Sequence, residues 1–66
     1  QAIADFTKAI EINPNDSQVY NDRAVSYFFE KDYDKSWQDV YKAKELGKDV
    51  HPGFLKELKK ASGRNN

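Results

Sequence analysis

The chain has 66 residues and a mass of 7.6 kDa, with 11 basic and 11 acidic side chains, no cysteine and a single histidine. That length limits it to one small domain whose core supplies only about 3–5 kcal/mol, so idealised helix packing or a partner is expected to help. Disulfides and thiolate metal sites are excluded. Zero net charge argues against non-specific attraction to nucleic acid or anionic membrane, and the longest apolar stretch, Val25–Phe29, is broken by Ser26, so no membrane span is expected.

Ala2, Phe6, Ala9 and Ile10 recur at the spacing of one helical stripe. This first segment stops at Asn13-Pro14, because proline disfavours a helical residue before it. Asn15-Asp16-Ser17 then supplies turn chemistry and a capping oxygen. Tyr20, Ala24, Tyr27 and Phe28 predict a second helix from Ser17 to Lys31. Asp32 is placed to cap a third, with Asp34 near its positive end. Tyr33, Trp37, Val40, Tyr41 and Ala43 form its apolar face, and Gly47 suits a left-handed stop. Pro52 belongs in the first turn of a fourth helix capped by Asp49, Val50 or His51. Phe54, Leu55, Leu58 and Ala61 are its apolar stripe, and a frayed tail is expected over 63–66. Nothing alternates with period two. The expectation is an all-α array of antiparallel helix-turn-helix units.

Charge is balanced over the whole chain but not along it. Gln1 to Asp34 carries three basic against seven acidic residues, whereas Lys48 to Asn66 carries five basic against two acidic. Self-similarity appears at an offset of 34 residues: Ala2 meets Ser36, Phe6 meets Val40, Ala9 meets Ala43, Ile12 meets Leu46 and Tyr20 meets Phe54. Small falls on small and large apolar on large, at the period of a tetratricopeptide unit.

The local pattern resembles the same family. Tyr20, Ala24 and Tyr27 match the aromatic, small and aromatic positions of its first helix. Ala2, Phe6, Ala9 and Pro14 resemble its second helix and closing proline, and Asp32-Tyr33-Asp34-Lys35-Ser36 resembles its inter-helix turn. Arg23 stands where the pattern usually has leucine, Ser36 where it has alanine and Lys48 where it has proline. The resemblance, over Gln1 to Leu46, implies about one and a half repeats plus a C-terminal capping helix. Residues 1–13 would be the second helix of a truncated repeat, 17–47 a complete hairpin and 51–62 the cap, its outer face carrying Lys56, Lys59 and Lys60. A lone repeat cannot bury its hydrophobic face. The face of Ala2, Phe6, Ala9 and Ile10 is therefore a candidate for self-association, giving a homo-oligomer or an open superhelix.

Catalysis is not expected. His51 is the only histidine and lies beside Pro52, so a capping role suits it better than a nucleophile's base. Asp32 and Asp34 are accounted for by helix capping and dipole stabilisation. Asn13, Asn15 and Asp16 lack the twelve-residue calcium loop, and three scattered glycines make no phosphate cradle. No cofactor or metal is expected. The basic end, Lys56, Lys59, Lys60 and Arg64, has no aromatic ladder for nucleic acid.

Function is expected in a groove. The resemblance places Gln18, Asn21, Val25, Phe28 and Phe29 on the concave face where family arrays receive a peptide or partner helix. These residues also form a second stripe of the helix, offset from Tyr20, Ala24 and Tyr27, and a helix with two apolar faces is either sandwiched or open to a ligand. One family subtype grips a chaperone's C-terminal carboxylate through basic clamps, but Asp22 and Val25 occupy clamp positions here, so that function is not carried over. Nothing in the sequence selects between a cytoplasmic and a periplasmic setting.

Overall fold

A computed structural model describes residues 3–64, so the expectation placed on Ala2 and the last two residues of the expected tail lie outside the described residues. Four helices follow in order: α1 (Ile3–Ile12), α2 (Ser17–Phe29), α3 (Tyr33–Glu45) and α4 (Pro52–Ser62), with no strand among the described residues. The fold is all-α and helix-turn-helix throughout. Among the described residues, no helix is long and apolar enough to cross a membrane.

The turns follow from their residues. Asp16 Oδ1 accepts from the Gln18 and Val19 amides at 3.2 and 3.4 Å, which starts α2 directly after the proline turn. Asp32 Oδ1 accepts from the Lys35 amide at 3.4 Å and starts α3. Between them α2 stops at Phe29, two residues before the expected Lys31. Lys31 takes a left-handed φ of 64°, so the amides of Lys31 and Asp32 turn back onto the carbonyls of Phe28 and Tyr27 at 3.0 and 2.9 Å. Satisfying the orphan carbonyls in this way ends the helix. Gly47, with φ 95°, closes α3 similarly, its amide reaching Lys44 O and that of Lys48 reaching Ala43 O, both at 2.9 Å.

Packing of α3 on α2 dominates; α1 adds to α2, and α4 adds to α3. The core is Tyr20, Ala24, Trp37, Val40, Ala43, Val50 and Leu58, rimmed by Ile10, Phe28, Tyr33, Leu46, Phe54 and Leu55. Small residues let α2 and α3 cross closely. Ser36, fully buried, donates its hydroxyl to Ala24 O at 2.7 Å, so the serine in place of alanine adds a satisfied hydrogen bond rather than a polar defect. Trp37, Val40 and Leu58 are the large side chains removed from water, each worth about 1.5–3 kcal/mol on burial.

Further features differ from the sequence expectation. Ala61 is exposed, because the inward row of α4 runs through Phe54, Leu58 and Ser62 at four-residue steps. Ser62 Oγ accepts from Trp37 Nε1 at 3.0 Å and donates to Leu58 O at 2.6 Å, which pins the end of α4 to α3. Arg64 is also held: it pairs with Asp34 at 2.9 Å and its guanidinium lies 5.7 Å from the Trp37 ring centre. These contacts lie at the start of the tail that was expected to fray.

Another difference is an ion pair across helices, its carboxylate buried. Arg23 on α2 donates through Nε and Nη2 to the two oxygens of Asp39 on α3, both at 2.8 Å, and through Nη1 to Thr7 Oγ1 on α1 at 3.1 Å. Asp39 is only 4% exposed. The guanidinium lies 5.8 and 5.7 Å from the Tyr20 and Tyr27 ring centres, within cation–π range. The hydrogen bond to Asp39 raises the Arg23 pKa above the ordinary arginine value, against the opposing effect of burial. Three helices are joined at this one side chain, where the family pattern would place an apolar leucine.

Candidate functional site

Capping by Asp16 fixes the rotation of α2, and the inward row Tyr20–Ala24–Phe28 fixes which face remains for other uses. Tyr20 is anchored further by its hydroxyl, which donates to Pro14 O at 3.0 Å. The remaining stripe carries Gln18, Asn21, Val25 and Phe29, spread over roughly 16 Å of helix. Gln18 is exposed and donates from Nε2 to Asp22 Oδ1 at 2.9 Å. Asn21 and Val25 are half-buried, and Phe29 is 76% exposed.

Phe28 stands apart from that stripe. Its ring meets Phe29 and Phe54 edge to face, each at 5.6 Å between centres, and Tyr33 at 6.0 Å. It therefore joins α2 to α3 and α4 and holds the base of Phe29, whose own ring stands in water. Exposed aromatic rings of this kind supply large contact area at low conformational cost.

Asn21 opens onto a pocket of about 670 Å³. The other lining residues, Lys44, Lys48, Asp49, Val50, His51 and Pro52, come from the end of α3 and the connection to α4. That connection is rigid for identifiable reasons. Gly47 turns the chain, Val50 is 6% exposed in the core, and His51 Nδ1 accepts from the Gly53 amide at 2.9 Å as the cap of α4. In the neutral ring this leaves the hydrogen on Nε2. Gly53 permits the cap, since a Cβ there would come within 2.9 Å of the imidazole. The pocket thus offers one amide, two ammonium groups, one carboxylate and the His51 imidazole beside Val50 and Pro52. That combination suits non-covalent recognition of a polar chain.

The sequence pointed to Asn21 but not to Lys44, Lys48 or His51 as its neighbours. The available signal was Gly47, whose left-handed turn brings 48–51 back across the end of α3 toward α2. Among the described residues, no group of three or more His, Cys, Asp or Glu side chains is arranged to hold a metal ion. The self-association candidates lie on α1: Phe6, Ala9 and Ile10 are half-buried, and Ile10 packs against the core.

With this geometry in hand, comparison with family models gives a match to the tetratricopeptide repeat over residues 6–38, from α1 through α2 into α3. The chain belongs to the tetratricopeptide repeat family. The match crosses both the proline turn and the Lys31 turn, so it includes the whole of α2 and the buried crossing at Ala24. Searches of curated proteins and of solved structures gave no significant match. Tetratricopeptide repeats are protein-interaction modules, and the helical hairpin of α2 and α3 has that architecture.

Proposed function

We propose that this module binds a peptide or partner helix along the α2 stripe of Gln18, Asn21, Val25 and Phe29, with Phe28 packed behind it. The observation that carries the reading is Phe29, a large aromatic side chain 76% exposed on the stripe that leads to the Asn21 pocket. Covering this ring with a partner's apolar side chain would remove its apolar surface from water, which is favourable. In this reading Phe29 and Val25 anchor apolar side chains, Phe28 supports Phe29 from behind, and the Asn21 amide pairs with peptide backbone. Peptides selected against the wild-type chain from a displayed random library are the test. Phe29→Ala and Asn21→Ala are each expected to weaken them about tenfold, the loss of one anchor of ~1.4 kcal/mol. Unchanged affinity in both variants would refute the assignment.

A second reading is favoured by α1, an amphipathic helix of ten residues of which none is buried. Here two chains associate through Phe6, Ala9 and Ile10, with Ala2 as a further candidate. Sedimentation at several concentrations tests it: Phe6→Asp is expected to abolish a concentration-dependent dimer, and a wild-type chain that stays monomeric at all concentrations rules it out.

A further inference from the structure

Beyond the groove, α4 carries a separate feature. Pro52, Leu55, Lys56, Lys59 and Lys60 line an open trough of about 460 Å³ along its outer flank. Leu55 is half-buried at its base, and the three lysines and Pro52 are exposed. None of the three lysines takes part in an ion pair or a side-chain hydrogen bond among the described residues. The single carboxylate of α4, Glu57, pairs with none of them.

The arrangement is unfavourable to the chain by itself. Lys56 lies three and four residues before Lys59 and Lys60, so like charges neighbour each other on one helix face, and such pairs destabilise an exposed helix. The helix dipole favours Lys59 and Lys60 in the last turn, but Lys56 lies too far back to benefit. The repulsion is relieved when carboxylates enter between the ammonium groups. Apolar Pro52 and Leu55 then determine what kind of acidic partner fits. A phosphate backbone has no use for them, and no aromatic ring lines the trough for base stacking.

We propose that the outer flank of α4 docks an acidic amphipathic helix of a partner protein. An apolar side chain of that helix seats on Leu55 and Pro52, and carboxylates spaced at i and i+4 meet Lys56, Lys59 and Lys60. The spacing matches because four helical residues advance ~6 Å on either helix. Pro52 also lines the Asn21 pocket, but no residue of the α2 stripe takes part, so the site is separate from that stripe.

The probe is a synthetic helical peptide with paired glutamates flanking leucines, compared with a scrambled peptide of identical composition and with a short oligo(dT). Binding of the patterned peptide to the full chain is read by fluorescence anisotropy at two salt concentrations. The combined change Lys56→Gln, Lys59→Gln, Lys60→Gln is expected to weaken it about tenfold, near the sum of three surface charge contacts. Circular dichroism confirms that α4 persists in this variant, and Phe29→Ala is expected to leave the affinity unchanged. Equal binding of the scrambled peptide, tighter binding of oligo(dT), or unchanged affinity in the triple variant would each overturn the proposal. Loss of binding in Phe29→Ala would overturn it too, by returning the peptide to the groove.

Discussion

Asp39→Asn keeps the size of the side chain while removing the charge that holds Arg23. The carboxylate makes two bonds of 2.8 Å and is 5% exposed, whereas the arginine side chain is 17% exposed. Removing one partner of a buried pair costs about 3–5 kcal/mol; partial access of water to the guanidinium places this case near the lower end, at ~3 kcal/mol. For a chain of this size that lowers the thermal midpoint by roughly 12–24 °C, measured by far-ultraviolet circular dichroism. Arg23→Met combined with Asp39→Leu removes both charges together and is expected to return to within about 1 kcal/mol of wild type, because a packed apolar pair avoids desolvation. Thr7 then keeps its bond to Ile3 O at 2.9 Å. The raised pKa of Arg23 has a defined consequence: its stabilisation is full below the ordinary arginine value and is lost only as pH rises through the elevated one. Titration across the neutral range therefore leaves the arginine contribution untouched. An Asp39→Asn midpoint within about 2 °C of wild type, or single effects that simply add in the double variant, would refute this account of the pair.

Other substitutions probe the turns and the attachment of α4. Ser62→Ala removes the acceptor of Trp37 Nε1 and is expected to cost ~1 kcal/mol, with a red shift in emission from the single tryptophan as α4 loosens; an unchanged spectrum and midpoint would contradict that pinning role. Gly47→Ala meets no neighbour within 4 Å, so its cost of about 1 kcal/mol is purely the left-handed backbone. Lys31→Gly should act in the opposite sense, raising the midpoint by a few degrees in the same melting experiment, because φ 64° penalises a lysine. Gly53→Ala should displace the His51 cap and lower helicity at the start of α4, measured by amide hydrogen exchange.

What could be read from the sequence had a local cause. Asp16, Asp32, Gly47 and Pro52 act within one turn of themselves, so their types alone located four ends of three helices. The stripe of Trp37, Val40 and Ala43 was visible because burial repeats with the helical period. Lys31 was missed because a lysine does not announce a left-handed conformation as a glycine does. The Arg23–Asp39 pair was hidden for a different reason. Charged residues are usually solvated, and only the crossing of α2 on α3 brings these two together. The faint signal was positional: Asp39 falls three residues after Ser36 and four before Ala43, inside the buried row, and Arg23 interrupts the corresponding row of α2. The pocket beside Asn21 likewise depends on the path of 48–51, which no local pattern specifies. Spacing put Phe28 and Phe29 on one stripe, and their different exposure emerged only once Phe28 took the inward position against Phe54.

The groove reading is tested most directly by mapping where a bound peptide lies. Backbone amide shifts of the isotope-labelled chain, followed while a library-selected peptide is added, report each residue separately. The account predicts that the largest changes cluster on α2 from Gln18 to Phe29 and on the pocket residues Lys44 and Lys48 to His51. Changes confined to α1, or to the outer flank of α4, with the α2 stripe unmoved at saturation, would contradict it.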